Sequence, residues 1–308
     1  MPELPEVQTT VNGLNKKVLS RAFVDVWSDW GKLLKKPNFS TQGGPASGWN
    51  LFKRQIKNKK IIKIYRRAKN IILNLQDDYS LLIHLKMTGH LLVGKWKFEN
   101  KKWKPVDAKS PLNDPYNRFL HIIFFLNNGE MLALSDARKF AKIELWQTKD
   151  LEKELQKLGP EPLEGDFTFA KFKQALLRQN PPSLKLRRGK VKQILMIPEI
   201  IAGIGNIYSS EILWHAKIHP EKLVQNLNDK ELKEIYNAVK KVLTLGVSLG
   251  GESFSDYRKV DGTKGDFDDE RRVYKREKEI CVRCKKEKIK RISIAQRSAF
   301  FCPNCQKI

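Results

Sequence analysis

Four cysteines stand near the C-terminus in two pairs, Cys281-Val282-Arg283-Cys284 and Cys302-Pro303-Asn304-Cys305, separated by seventeen residues. Each Cys-x-x-Cys turn can clamp one side of a tetrahedral ion, and the segment between them is long enough for a hairpin that joins the two halves. Two disulfides or four free thiols are the alternative, disfavoured in a cytosolic chain with no other cysteine. The chemistry implied is structural: four protein ligands leave a single Zn²⁺ no open position for a substrate. The same segment carries Lys285, Lys286, Lys288, Lys290, Arg291 and Arg297. A cationic zinc hairpin is a ready nucleic-acid contact, although zinc ribbons also bind proteins.

A second group with chemical potential is Ile201-Ala202-Gly203-Ile204-Gly205-Asn206-Ile207-Tyr208. Two glycines just before a helix suit a tight turn between helices, whose second N-terminus, with the Asn206 amide, can hold a phosphate. This motif alone does not exclude a plain helix–turn–helix packing joint. A dinucleotide loop does not fit, because no Gly-x-Gly-x-x-Gly follows a strand.

The chain has 308 residues, enough for two domains, and 59 Lys+Arg against 34 Asp+Glu give a net charge of +25. Such an excess points to a polyanionic partner, nucleic acid or an anionic membrane surface. A hydrophobic fraction of 41% excludes a disordered basic tail. The N-terminus has acids where a signal peptide needs bases, and the most apolar run, Leu120 to Leu126, is far too short to span a membrane. The expectation is a cytoplasmic protein whose partner is nucleic acid, with no membrane.

These residues need elements to position them. Val7, Val11, Leu14 and Val18 recur at helical spacing over 6–18. Strand-like runs follow at Ile61–Tyr65, Ile71–Leu75, Ser80–Leu85, His121–Leu126 and Met131–Leu134, the last two joined by the turn Asn127-Asn128-Gly129. Residues 35–50 and 96–118 read as loops. Leu158-Gly159-Pro160-Glu161-Pro162-Leu163 reads as a hinge. Beyond it the periodicity turns helical at 167–178, about 188–197, 206–216 and 229–246, the last opened by a capping box of Asn228 and Glu231. Residues 250–278, Gly-rich and charged, read as a loop.

Taken in order, these stretches resemble one family. Met1-Pro2-Glu3-Leu4-Pro5-Glu6-Val7 closely resembles the start of the bacterial formamidopyrimidine-DNA glycosylases (Fpg, MutM), of the Fpg/Nei family. Arg66-Arg67-Ala68-Lys69 resembles the family's lysine segment, and His84-Leu85-Lys86-Met87-Thr88-Gly89 its methionine segment. Asp136-Ala137-Arg138-Lys139-Phe140 resembles its arginine–phenylalanine loop, Leu158 to Leu163 the interdomain linker, and Ile201 to Tyr208 the helix–two-turn–helix. Residues 281–306 resemble the zinc finger, Gln296-Arg297-Ser298 included.

The resemblance implies an α+β fold. An N-terminal antiparallel β-sandwich with edge helices spans 2–150, followed by a linker at 151–165. A helical helix–two-turn–helix domain with a lesion loop spans 166–278, and a zinc-finger β-hairpin spans 279–308, with DNA in the cleft between the two halves. It implies a bacterial, nucleoid-associated monomer acting on damaged double-stranded DNA, a bifunctional glycosylase and abasic-site lyase that excises oxidised purines (8-oxoguanine, formamidopyrimidines). Met1 is removed in this family, and Pro2 then attacks the sugar C1′ as a secondary amine. Basic surroundings disfavour the protonated, unreactive form of such an amine.

Glu3 is the implied acid at the ring oxygen. Lys69 contacts a phosphate and assists elimination, and Arg297, a phosphate contact, joins Pro2, Glu3 and Lys69 in the catalytic set. Glu6 supports the first helix through its dipole, a reading matched by that of a plain surface charge. Met87, Arg138 and Phe140 fill the gap left when the target nucleotide is flipped out. His84, His121, Asn206 and one of Arg187 or Arg188 are DNA contacts. Cys281, Cys284, Cys302 and Cys305 hold the zinc.

Departures from the family pattern fall at Ala137 and Ala141, at Arg118-Phe119-Leu120-His121, at Ile197-Pro198 and in the loop Glu252-Ser253-Phe254-Ser255-Asp256-Tyr257. Two other readings compete: the sister endonuclease VIII, which acts on oxidised pyrimidines, and a catalytically silent protein that binds damaged DNA on the same scaffold. Leu4 and the Met87/Arg138/Phe140 set favour the purine enzyme.

Overall fold

The computed structural model describes residues 1–30, 45–177, 187–253 and 256–308. The chain divides into two compact units: Met1–Leu155 with Leu249–Asp268, and Gln156–Ser248 with Asp269–Ile308.

The first unit opens with α1 (Leu4–Lys17), whose Val7, Val11 and Leu14 are buried as the spacing predicts. Then come β1 (Phe23–Ser28), α2 (Pro45–Ile56), β2 (Ile61–Arg67), β3 (Asn70–Leu75), β4 (Tyr79–His84), β5 (His90–Gly94), β6 (Trp96–Glu99), β7 (Lys102–Pro105), β8 (Leu120–Leu126), β9 (Met131–Ser135), β10 (Lys142–Gln147) and α3 (Thr148–Leu155). Two antiparallel four-stranded sheets result, in the orders β1-β8-β9-β5 and β10-β4-β3-β2. Alternate residues of both sheets, among them Phe124, Leu134, Leu73 and Ile83, share one buried core with α1. That is the expected sandwich with a helix at its edge. The β8–β9 turn closes through Gly129 at φ +77°, which an L side chain would resist.

Some expectations change. Residues 45–50, read as loop, begin α2, while 31–44 lie outside the described residues. Within 96–118, also read as loop, β6 and β7 pair antiparallel and two 3-10 turns follow at Pro111–Asn113 and Pro115–Arg118. The strands there are only four residues long and lysine-rich, so their alternation of Trp96 and Phe98 with Lys97 is brief. Residues 151–155, read as the start of a linker, end α3 instead. Leu151 and Leu155 are buried, and their apolar contact carries the helix on.

The second unit contains α4 (Phe169–Leu177), α5 (Val191–Leu195), α6 (Asn206–Ala216), α7 (Asp229–Ser248) and the hairpin β11 (Lys290–Ile294) with β12 (Arg297–Phe301). Helix α5 is shorter than the segment 188–197 suggests: Gly189 sits at φ +140°, outside helical space, and Pro198 follows closely. The capping box of α7 forms as expected, with the Glu231 N–H donating to Asn228 Oδ1 at 2.9 Å and the Asn228 N–H to Glu231 Oε2 at 3.1 Å. Gly159, in the hinge segment, lies so close to the chain that a Cβ there would meet Ile200 backbone atoms at 2.5 Å. Residues 249–268, grouped by sequence with the helical half, pack as part of the first unit.

Candidate active site and metal centre

Pro2 and Glu3 are buried at the start of α1. Glu3 is the N-cap, and Glu3 and Glu6 form a capping box in which the Glu3 N–H donates to Glu6 Oε2 at 2.7 Å. Glu6 is no surface charge: it is 1% exposed, and its Oε1 accepts the Glu252 N–H at 2.7 Å. Its carbonyl oxygen accepts from the Tyr257 hydroxyl at 2.9 Å and from Thr10 Oγ1 at 2.9 Å. One carboxylate thus fixes the end of the chain, the helix dipole and the 251–257 strap together. Gly251 lies against it at φ +83°, where a Cβ would stand 2.8 Å from Glu6 Cγ. Phe254 and Ser255 of that strap lie outside the described residues.

Lys69 sits on the tight turn between β2 and β3, next to Ala68 at φ +52°. Arg66 pins this turn to α1, donating from Nε to Gln8 Oε1 at 2.9 Å and from Nη1 to the Ala68 carbonyl at 3.0 Å. His84, at the end of β4, pairs in register with Asn70 on one side and Lys142 on the other. Burial, and then Lys86, Lys142 and Lys69, push its pKa down to about 3. The imidazole is therefore neutral; its Nδ1 accepts the Lys86 N–H at 3.0 Å, which leaves the proton on Nε2 as a donor.

Met87, Arg138 and Phe140 share a second constellation. Met87 is 41% and Phe140 48% exposed, unusual for such side chains. The Arg138 guanidinium lies over the Phe140 ring, 4.5 Å from its centroid. Both loops hang on Asp136, which is fully buried. Its Oδ2 accepts the Phe140 and Ala141 N–H groups, each at 2.7 Å, while Oδ1 accepts the Thr88 hydroxyl and the Arg138 N–H. Ala141 is buried and fits beside Gly89, so its methyl group is accommodated.

Behind Thr88, His90 is 1% exposed, with Nε2 at 2.9 Å from Asn117 Oδ1 and burial holding its pKa near 4. Asn117 in turn donates to the Gly262 carbonyl at 3.2 Å. Arg258, 1% exposed, pairs with Asp114 at 3.0 Å and lies over the Tyr116 ring. The loop at 250–266 and the Met87/Arg138/Phe140 loops are therefore joined by buried polar contacts through His90 and Asn117. Sequence reading passes over these residues, because a lone buried His or Asn carries no spacing signal. His121 differs from expectation in its setting: its Nδ1 is 2.9 Å from Asp29 Oδ1, so the ring already has an acidic neighbour.

In the second unit, Asn206 begins α6 behind Gly203 at φ +84°, and its Oδ1 is buried without a hydrogen-bond partner among the described residues. Lys192, fully buried, donates to the Asn206 carbonyl at 3.0 Å and to the hydroxyls of Ser209 at 2.7 Å and Ser210 at 2.8 Å. Arg187 is half-buried and Arg188 exposed. Arg297 is exposed on the turn of the β11–β12 hairpin, whose Ala295 and Gln296 have positive φ. Glu211 is the anchor for the approach to the finger: its carboxylate accepts N–H groups of Arg272, Val273 and Tyr274 at 2.8–3.0 Å, while burial raises its pKa.

The four cysteine Sγ atoms lie within 4.8 Å of one another, with Cys281–Cys305 at 4.0 Å and Cys284–Cys302 at 3.7 Å. These separations are far beyond a disulfide bond and near the ~3.8 Å edge of a tetrahedron with Zn–S of about 2.3 Å. Backbone N–H groups of Glu287 and Lys286 favour the thiolate of Cys284, lowering its pKa to about 6. The donor set fits one structural Zn²⁺, held by Cys281, Cys284, Cys302 and Cys305. Gln306 secures the fold around it, accepting from the Cys302 N–H and donating to the Ile218 carbonyl, both at 2.9 Å. Arg283, between the first two ligands, stacks on Trp214 at 3.7 Å.

Three family models match in order along the chain. Residues 1–143 match the formamidopyrimidine-DNA glycosylase N-terminal domain, 158–258 its H2TH domain, and 278–308 the zinc finger found in FPG and IleRS. The chain belongs to the formamidopyrimidine-DNA glycosylase family. Among curated relatives, a formamidopyrimidine-DNA glycosylase of Rickettsia felis is 35% identical over 99% of this chain and 98% of its own. One of Pelotomaculum thermopropionicum is 34% identical over the whole of both. Among solved structures, a complex between Lactococcus lactis Fpg and DNA containing an abasic site is similar, with a TM-score of 0.80 and 28% identity over 99% of this chain and 100% of that one. A wild-type Lactococcus lactis Fpg complex with DNA containing N7-benzyl-Fapy-dG gives 0.79 and 29%, covering both chains fully. Among the described residues no helix is long and apolar enough to cross a membrane.

Proposed function

We propose that the protein is a bifunctional DNA glycosylase and abasic-site lyase of base excision repair, removing oxidised purines from double-stranded DNA. The observation that carries this reading is the buried Pro2–Glu3 end, fixed through Glu6 in the unit that also presents Met87, Arg138 and Phe140. Relatives named as formamidopyrimidine-DNA glycosylases, and similar chains solved with abasic DNA, support it.

Once Met1 is removed, Pro2 is the N-terminal residue and its nitrogen a secondary amine. The amine lone pair attacks the sugar C1′, the bond to the base breaks, and the base leaves with that bond's electron pair and takes up a proton. Glu3 delivers a proton to the ring oxygen, the ring opens and an iminium forms at C1′. Loss of the C2′ proton and of the 3′-phosphate completes β-elimination. A second proton loss expels the 5′-phosphate, and hydrolysis returns the free Pro2 amine. Lys69 and the Nε2–H of His84 hold phosphate oxygens, as do Arg187, Asn206 and Arg297. Met87 and Phe140 fill the vacated stack while Arg138 hydrogen-bonds the orphaned base. His121, next to Asp29, is a weaker backbone contact. Zinc holds the finger and takes no part in the reaction.

Borohydride reduction of the mature protein with abasic DNA should leave a covalent adduct, and Pro2→Gly should trap poorly while still binding DNA. An intact mass lacking Met1 should accompany trapping. Absence of any adduct from protein of that mass overturns the lyase reading.

A further inference from the structure

Between the β6–β7 hairpin and the segment around Pro111–His121 lies a half-open cavity of about 510 Å³. Its walls are aromatic: Trp27, Trp96, Trp103 and Phe119 line it. Trp103 sits at the middle of this cluster, 5.4 Å from Trp27, 5.1 Å from Phe98 and 5.9 Å from Phe125 by ring centroids. Its Nε1–H is buried and has no acceptor among the described residues. A buried indole N–H without a partner is uncommon, since it costs the group its hydration.

Around these rings the charge is one-sided. Lys101, Lys102, Lys104 and Arg118 also line the cavity, and none forms an ion pair among the described residues. The two acids on the lining are already engaged, Asp114 by Arg258 at 3.0 Å and Asp29 by His121 at 2.9 Å. Two of the lysines are kept against local preference. Lys104 stands directly across the ladder from Lys97, a like-charge pairing that weakens a hairpin. Lys101 takes φ +61° at the turn after Asn100, a conformation that favours glycine or asparagine. The hairpin is seated by its aromatic face and presents more cations than its one acid, Glu99, which faces Lys102 across the ladder and lies near Lys104, can balance, beside open ring surface. That is the combination by which proteins hold an unpaired nucleotide, the base stacked on an aromatic ring and the phosphate among cations.

We propose that this cavity is a second nucleic-acid site, taking a nucleotide unit of single-stranded DNA beside the backbone contact assigned to His121 and apart from the Pro2–Glu3 centre. The inference rests on the proposed function only for DNA as the polymer. An unpaired nucleotide in a strand and a free nucleoside monophosphate share the recognised chemistry, so the test separates them.

The catalytic interface is first filled with excess blunt duplex carrying a tetrahydrofuran abasic analogue. Fluorescein-labelled (dT)8 should then still bind and quench tryptophan emission. Lys101→Gln/Lys102→Gln/Lys104→Gln should weaken this second binding by about 10-fold, and Trp103→Phe should remove most of the quenching. A charge-matched control, Lys57→Gln/Lys60→Gln/Lys149→Gln, should change it less than about 2-fold. Borohydride trapping on abasic DNA, which reads the catalytic site alone, should be the same in both triple variants. No second binding of (dT)8, or equal weakening in the two triple variants, overturns the proposal. So does displacement of (dT)8 by dTMP at lower concentrations than by unlabelled (dT)8, which assigns the cavity to free nucleotides.

Discussion

Asp136 shows how much a single side chain carries in the candidate site. Its carboxylate accepts three backbone N–H groups of the loop that keeps Arg138 and Phe140 at the surface, and the hydroxyl of Thr88 from the neighbouring loop. Asp136→Ala leaves the buried Ala141 N–H and Thr88 hydroxyl unpaired at about 1–3 kcal/mol each, so about 2 kcal/mol or more of stability should be lost in urea unfolding. Excision of 8-oxoguanine should fall more than borohydride trapping on abasic DNA, because only the former needs an intact base drawn from the stack. The histidines make a second prediction at this scale. Burial holds His84 near pKa 3 and His90 near 4, against an ordinary 6.5. Below pH 6.5 the unfolded chain takes up these protons and the folded chain does not. Stability should therefore fall as pH drops from about 6.5 to 4, with a slope of up to about 1.4 kcal/mol per unit for each histidine. A urea midpoint unchanged across that window would contradict the assignment.

At the scale of elements, what positions the chain end is the contact of α1 with the 251–257 strap. Gly251→Ala places a methyl group 2.8 Å from Glu6 Cγ at φ +83°. It should cost about 1–2 kcal/mol in unfolding, and proteolysis should reach the strap faster while zinc content stays unchanged. The helices and central strands of both units were legible because each repeats its apolar residues over two turns or several alternations. The β6–β7 hairpin, α2 and α3 were not. Each is short and carries only two to four large apolar residues among polar ones, too few for a clear period, and packing, of Trp103 on Trp27 in the hairpin or of buried Leu151 in α3, supplies the stability.

For the molecule as a whole, zinc is the simplest lever. A thiol-compatible chelator should remove one Zn²⁺ per chain, measured by mass spectrometry of the metal. DNA affinity should drop at least about 10-fold and return on adding zinc, since Arg297, proposed above as a phosphate contact, rides on the hairpin the metal closes. The sequence by itself determined the family, the metal ligands and the charged character, because these depend on residue type and spacing: two Cys-x-x-Cys turns, an N-terminal Pro-Glu, an excess of cations. It also pointed to Lys69, Met87, Arg138 and Phe140 through motif order. Only the tertiary structure decided that Glu6 is buried and ties the N-terminus to a loop 246 residues away. It likewise decided that His90 and Asn117 bridge two loops, and that Trp27 meets Trp96 and Trp103 of a distant hairpin around a basic cavity. Such roles arise from desolvation and from contacts between distant segments, and neither leaves a periodic trace in the chain.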